Sequence, residues 1–237
     1  MQNYIKSVVI RFEFRLKPPL QCRRLMFTGR LDMMSPTTIQ TVTLGLTGAS
    51  GMPYGIRLLE CLLRLDKTVW LVYSQAAQIV AQQEMGLQLP SSASACEAML
   101  QEKYGVDGSR LRVFGQNQWS APCASGTHVA DAMVVCPATM GAVAAIAHGT
   151  SDHLLERAAD VSIKEGRPLI IVPREAPLSA IHLENLLKLA RLGVCVLPPS
   201  PGFYQHPQSV DDIVDFVVAR ILDQLRIPHD LLPRWGE

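Results

Sequence analysis

A chain of 237 residues, 48% hydrophobic and 18% charged, has the length and composition for one sizeable buried core. A formal net charge of +1 leaves no electrostatic footprint for a polyanion, which argues against nucleic acid and against an anionic membrane as partner. No apolar run reaches the roughly 20 residues of a membrane span, since the longest, Ala132 to Ala147, is interrupted by Pro137 and Thr139.

The segment up to Met34 differs from the rest. Lys6, Arg11, Arg15, Lys17, Arg23, Arg24 and Arg30 face a lone acid, Glu13, with no clear periodicity. That composition is shared by organelle-type targeting peptides and by an extension upstream of a start at Met33 or Met34. In either case residues 1–34 are expected to stay outside the fold, which runs over 35–237.

From Thr41 onward strand-like and helix-like segments alternate. Thr41–Leu46 reads as a buried strand, and Ile56, Leu58, Leu59, Leu62 and Leu63 form the packed face of the helix after it. A strand at Thr68–Tyr73 leads to helices at Gln75–Glu84 and Ala95–Lys103, then to a short strand at Leu111–Phe114. Ala132–Cys136 is a buried strand, followed by helices near Gly141–Ala147 and Asp152–Glu165. The remainder reads as strand Leu169–Val172, helix Ser179–Arg191, strand Val194–Leu197 and helix Ser209–Leu225. This rhythm, without repeat or linker, predicts a single α/β domain. It is Rossmann-like (flavodoxin-like), an open, mainly parallel sheet with helices on both faces. Ligands of such sheets bind beyond the carboxyl ends of the strands. Those ends carry Thr47–Ser50, Ser74, Pro137–Thr139 and Pro173–Glu175, a small, hydroxyl-rich and charged set.

The turn after the first strand, Thr47-Gly-Ala-Ser-Gly-Met-Pro-Tyr-Gly55, feeds a helix N-terminus and is therefore a ready anion cradle. Its glycines at 48, 51 and 55 do not spell G-x-G-x-x-G, which needs glycine where Ser50 stands, and no P-loop lysine follows. Three further stretches carry chemistry. The loop Trp119–Thr127 pairs a large aromatic with small residues and hydroxyls. Arg157 and Lys164 stand seven apart, so two helical turns bring them onto one stripe. Such a stripe is usually a solvated face, and it gains meaning only with an anion opposite. Arg174 and Glu175 leave a buried strand between Pro173 and Pro177, a place where a functional pair and a structural ion pair compete.

The six cysteines, at 22, 61, 96, 123, 136 and 195, form no C-x-x-C pair, and with no secretory signal they read as reduced thiols of a cytoplasmic protein. The six histidines have no ligand spacing, so no metal site is expected.

The set T-G-A-S-G-x-x-Y-G, W-x-A-P-x-A-S-G, C-P-A-T, E-R-A-A-D-V-x-x-K-E-x-R-P-L, V-P-R-E-A-P-L, H-L-E-N and P-G-F-Y-x-x-P runs in order from Thr41 to Trp235. In combination it closely resembles the flavin prenyltransferase family of the UbiX type, long described as an aromatic-acid decarboxylase. The resemblance implies a metal-free reaction that joins dimethylallyl monophosphate to reduced FMN at N5 and C6. The product, prenylated FMN, serves a UbiD-type decarboxylase, often in ubiquinone synthesis. It also implies that Gly48, Ala49, Ser50, Gly51, Ser74, Thr139 and Arg174 bind FMN, with the phosphate suited to the helix N-terminus after Gly51. Ser50, Glu84 and Glu175 would act in catalysis, Glu175 passing protons between the flavin and the leaving phosphate. Ser125, Arg157, Lys164, Arg174, Tyr204 and Arg220 would hold the prenyl phosphate. Trp119 and Trp235 would face the dimethylallyl unit, whose developing positive charge suits an aromatic face. The family forms homo-oligomers, here expected to be a dodecamer, with sites built between subunits. Gly141 stands where some members carry lysine, and Pro-Gly-Phe-Tyr replaces the commoner Pro-Ala-Phe-Tyr.

Two alternatives share the sheet and the FMN cradle. Flavin-dependent cysteine decarboxylases carry a clamp P-x-M-N-x-x-M-W, where this chain has Pro173-Arg-Glu-Ala. A non-catalytic flavin carrier would have no use for Arg157, Lys164, Arg174 and Arg220 together.

Overall fold

The computed structural model describes residues 38–232; the basic segment 1–34, Cys22 and Trp235 lie outside the described residues. The first half contains β1 (Thr41–Leu46), α1 (Met52–Arg64), β2 (Thr68–Tyr73), α2 (Gln75–Met85), α3 (Ala93–Tyr104) and β3 (Leu111–Phe114). The second contains β4 (Ala132–Ala138), α4 (Met140–His148), α5 (Leu154–Lys164), β5 (Leu169–Pro173), α6 (Ala180–Arg191), β6 (Cys195–Val196) and α7 (Val210–Gln224). All strand pairs are parallel, and the order across the sheet is β3-β2-β1-β4-β5-β6. The expected open parallel sheet forms, with the last strand reduced to a two-residue edge.

The strands read as continuous apolar runs because each face of the sheet is covered. Along β4, Val134 and Cys136 join the core beneath α1 and α7, while Met133 and Val135 join the core beneath α4, α5 and α6. This two-residue alternation sorts the side chains of one strand into two separate packed layers. Local chemistry sets the helix limits. Ser74 and Thr139 cap the starts of α2 and α4, and left-handed glycines, Gly86 and Gly149, end the same two helices.

The chain leaves β1 toward the face covered by α1, and leaves β4 toward the face covered by α4. The loops after these adjacent strands therefore diverge, and a crevice opens between them beyond the carboxyl edge. This is the topological switch point of the sheet.

Helix α1 lies close against β4 because Gly55 has no side chain. A Cβ at that position would stand 2.3 Å from the Cys136 carbonyl oxygen and 2.7 Å from Leu46 Cδ2. Two residues further on, α1 is tied to α7 by the Arg57 guanidinium, whose Nε and Nη2 donate to both oxygens of Asp215 at 2.7 and 3.1 Å. Gly55→Ala must push α1 off the backbone of β4. It is expected to cost about 1–3 kcal/mol or more, read as a lowered urea midpoint; an unchanged midpoint would show that this approach is not fixed.

Candidate active site

The two loops that bound the crevice are joined by one buried side chain. The Thr47 hydroxyl donates to the Pro137 carbonyl at 2.8 Å and accepts from the Thr139 N–H at 2.8 Å. The Thr47 N–H adds a third bond to the Pro137 carbonyl at 3.2 Å. Beside it, Gly48 lies so near the start of α2 that a Cβ there would fall 2.3 Å from Ala76 Cβ. The crevice floor is thus made of backbone, and a planar ligand can approach it closely.

The first turn of α1 holds an anion already. Glu84, at the end of α2, accepts from the Gly51 N–H at 3.0 Å and from the Met52 N–H at 2.8 Å. Pro53 has no N–H, and the Tyr54 N–H turns back to the Gly51 carbonyl at 3.1 Å. These are the donors a helix N-terminus offers, and a carboxylate from within the chain takes them. The expectation that a phosphate sits on the helix after Gly51 is corrected accordingly: Glu84 fills that place, next to Ser50, and caps the helix.

Two other helix N-termini, those of α2 and α4, open onto a single cavity of about 250 Å³. Thr47, Gly48, Ser74, Ala76, Thr139 and Ala142 line it from the crevice side, with Gln116, His153 and Glu156 opposite. Ser74 Oγ accepts from the Ala77 N–H at 3.1 Å, and Thr139 Oγ1 from the Ala142 N–H at 3.2 Å. Both expected hydroxyls therefore stand at cavity mouths with positive dipole ends behind them. Sequence reasoning missed Gln116. Its side-chain amide donates to the Tyr73 carbonyl at 3.1 Å, and its backbone carbonyl accepts from the Leu154 N–H at 2.7 Å. The signal was present, because Gly115-Gln-Asn117 follows the carboxyl end of a strand, the position already marked as ligand-bearing.

The remaining expected residues fall into three groups. The first is in the crevice: Arg174 Nε donates to the Ser50 carbonyl at 3.2 Å, and the Glu175 carboxylate accepts from the Ala176 N–H at 3.1 Å. The second lies along α5. There Arg157 Nε donates to the Ala124 carbonyl at 3.1 Å and its Nη1 pairs with Asp160 at 2.8 Å, while Lys164 pairs with Glu165. A Cβ on Gly126 would stand 2.9 Å from Lys164 Nζ, so the Ser125–Gly126 loop does meet the two-cation stripe. Trp119, about half exposed, leads into the same loop. The third group lies on α7: Tyr204 packs edge-on against Phe216 with ring centres 5.8 Å apart, and Arg220 pairs with Asp223.

Within one chain these groups stay apart, for a topological reason. α5 packs on one face of the sheet and α7 on the other. Both helices run down from the carboxyl edge: Lys164 is the last residue of α5, just ahead of β5, and Gln224 at the end of α7 meets Cys195 at the start of β6. Lys164 consequently sits well below the crevice that holds Arg174, and Arg220 lies on the opposite face of the sheet from α5.

No group of His, Cys, Asp or Glu among the described residues has the arrangement of a metal site. Burial pushes the Cys123 thiol up to about 11 and the fully buried Cys136 thiol higher, so both are protonated packing groups at neutral pH.

Thr47→Val removes both hydroxyl bonds and strands the Thr139 N–H. Stability is expected to fall by about 1–3 kcal/mol, together with a weaker hold on flavin in a fluorescence titration. Unchanged flavin affinity would show that the bridge does not shape the site.

A family model described as Flavoprotein matches residues 33–222. The flavin prenyltransferase UbiX of Pseudomonas aeruginosa is 54% identical over 198 residues, covering 84% of this chain and 95% of that protein. A dodecameric FMN-dependent Ubix-like decarboxylase from Escherichia coli O157:H7 superposes with a TM-score of 0.74 at 40% identity, covering 84% of this chain and 100% of the other. AnUbiX, solved in complex with FMN and dimethylallyl pyrophosphate, gives a TM-score of 0.74 at 36% identity, covering 84% of this chain and 98% of its own. With 54% identity to a UbiX over an alignment that spans nearly that protein's full length, and with the crevice intact, this chain belongs to the flavoprotein family as a flavin prenyltransferase of the UbiX type, an enzyme that transfers a prenyl group.

Proposed function

We propose that the protein joins the dimethylallyl group of dimethylallyl monophosphate to N5 and C6 of reduced FMN and passes the prenylated FMN to a UbiD-type decarboxylase. Ubiquinone synthesis or aromatic-acid decarboxylation would use that product, and the reaction would run in the cytoplasm. The observation that carries this reading is the crevice at the β1–β4 switch, where two helix N-termini with hydroxyl caps open onto one cavity lined by Thr47 and Gly48. A flavin phosphate fits the α2 and α4 termini, and the bare backbone at Gly48 leaves room for a ring.

On this reading Ser74, Thr139 and the first turn of α4 hold the FMN phosphate, while Gly48, Ala49, Ser50 and Gly51 lie along the ring. Arg174, anchored on the Ser50 carbonyl, orients that turn and offers its remaining donors to either ligand. Reduced FMN supplies the nucleophilic nitrogen and carbon, and phosphate is the leaving group. Arg157, Lys164, Ser125, Tyr204 and Arg220 stabilise the departing charge, the task a metal performs elsewhere. Trp119 and Trp235 offer aromatic faces to the cationic prenyl unit. Glu175 moves the proton that flavin loses toward the leaving phosphate.

The separation of the α5 and α7 cations within one chain supports a centre shared between copies, in keeping with the dodecameric relative from Escherichia coli. Each protomer would then lend α5 to one neighbour and α7 to another. Asp160 and Glu165, which hold the stripe in the single chain, would keep Arg157 and Lys164 extended until a prenyl phosphate arrives. Residues 1–34 would take no part, since the family match leaves out all but the last two of them.

Incubation with reduced FMN and dimethylallyl monophosphate is expected to yield a flavin heavier by the five-carbon unit, with or without chelator. Unmodified flavin would reject the reading, and a rate that fell with chelator and recovered with Mg²⁺ would reject its metal-free form. Glu175→Gln keeps size and an acceptor but cannot release a proton. Turnover is expected to drop about 100- to 10,000-fold while the protein still purifies with flavin; a rate within about threefold of the parent would take Glu175 out of the mechanism.

A further inference from the structure

We propose that His229 is a positioning residue for Arg220, acting through Asp223, in a cavity at the end of α7. This rests on the reading of Arg220 as a ligand of the prenyl phosphate. The cavity, of about 400 Å³, lies between α7 and the segment after it, and Tyr204, Arg220, Arg226 and His229 all reach it.

Three bonds make the relay. The Leu231 N–H donates to His229 Nδ1 at 3.3 Å, so Nδ1 is an acceptor and the proton of the neutral ring sits on Nε2. Nε2 then donates to Asp223 Oδ1 at 3.2 Å. The other oxygen, Oδ2, takes Arg220 Nη1 at 2.5 Å. Each carboxylate oxygen is therefore committed to one partner, which fixes the plane of the Asp223 carboxylate. An i,i+3 pair between half-exposed side chains is ordinarily a loose one. Here the third member is different: the His229 side chain is only 10% exposed, against 45% for Asp223 and 49% for Arg220. The buried ring holds the carboxylate, and the carboxylate holds the guanidinium at the cavity, where it can meet an anion.

The backbone is bent to deliver that ring. After α7 the chain reverses at Arg226, whose φ is +54° and whose N–H donates to the Asp223 carbonyl at 2.9 Å. Of the residues other than glycine with positive φ among those described, Asp66 and His206 are types that tolerate this region, whereas arginine is not. The turn is locked by the Ile227 N–H on the Leu222 carbonyl at 3.0 Å and by burial of Ile227. Two residues later His229 lies back over the end of α7.

Steady-state kinetics of the full chain test the relay. His229→Ala is expected to raise KM for dimethylallyl monophosphate about 3- to 10-fold, with KM for reduced FMN unchanged. His229→Gln, whose amide N–H can reach the same oxygen, is expected to recover most of the loss. Asp223→Asn should reproduce the alanine effect, and it keeps the test open if His229→Ala does not fold. Arg220→Ala serves as the reference and should raise the same KM by about 10-fold or more. A normal KM in His229→Ala and Asp223→Asn beside a raised one in Arg220→Ala would overturn the relay. So would an equal rise for both substrates, which marks general loosening of the segment. A normal KM in Arg220→Ala would instead overturn the phosphate assignment on which the relay rests.

Discussion

The crevice depends on the Thr47 hydroxyl, which is a donor to one loop and an acceptor from the other. A hydroxyl at this depth must satisfy both roles or cost free energy, so the loops after β1 and β4 are held at one separation. That separation places Gly48 against α2 and aligns Thr139 to cap α4. By helix geometry the N–H groups of Met140 and Gly141 then have no intrahelical acceptor, and they belong to the turn that borders the cavity. The switch point of a parallel sheet supplies the opening, and Thr47 sets its width.

Three helix N-termini border this region, and an anion could in principle choose any of them. Glu84 removes one. Its carboxylate satisfies the Gly51 and Met52 N–H groups and puts a negative charge at the start of α1. A phosphate is then disfavoured there twice over, by occupied donors and by like charge, and the α2 and α4 termini remain. On the proposed reading, the glycine-rich turn keeps its place beside the ring and the phosphate goes to the other two termini. Arg174, bound to the Ser50 carbonyl from the β5 side, provides the compensating positive charge in the crevice.

On the proposed reading, the cations that would meet a phosphorylated second substrate are distributed over α5, the end of β5 and α7. Their spread follows from the fold, since helices on opposite faces of a sheet cannot share a ligand through it. Each chain would then present partial sites, and the cations concerned pair with local carboxylates: Asp160 and Glu165 on α5, Asp223 on α7. Pairing each cation with a nearby acid limits both its mobility and its repulsion of its neighbours before substrate binds. The relay through His229 is the most buried instance of this arrangement.

The element order was readable from the chain because strands covered on both faces become unbroken apolar runs, as in Ala132–Cys136, and because Ser74, Thr139, Ser179 and Ser209 announce helix starts. Gly86 and Gly149 mark the matching ends. Carboxyl-end residues such as Ser50, Ser74, Thr139 and Arg174 were legible for the same reason, being tied to their strands by a few residues. The contacts that decide function join distant positions: Thr47 to Pro137, Glu84 to Gly51, Arg174 to Ser50. No local periodicity encodes such pairs, so the strand order, the seat of the anion and the partners of each cation emerged only when the sheet closed. Sequence by itself determined the elements and the residue types at the strand ends, through short-range propensity and motif. Tertiary structure decided which of them face one another, because that depends on the packing of elements far apart along the chain.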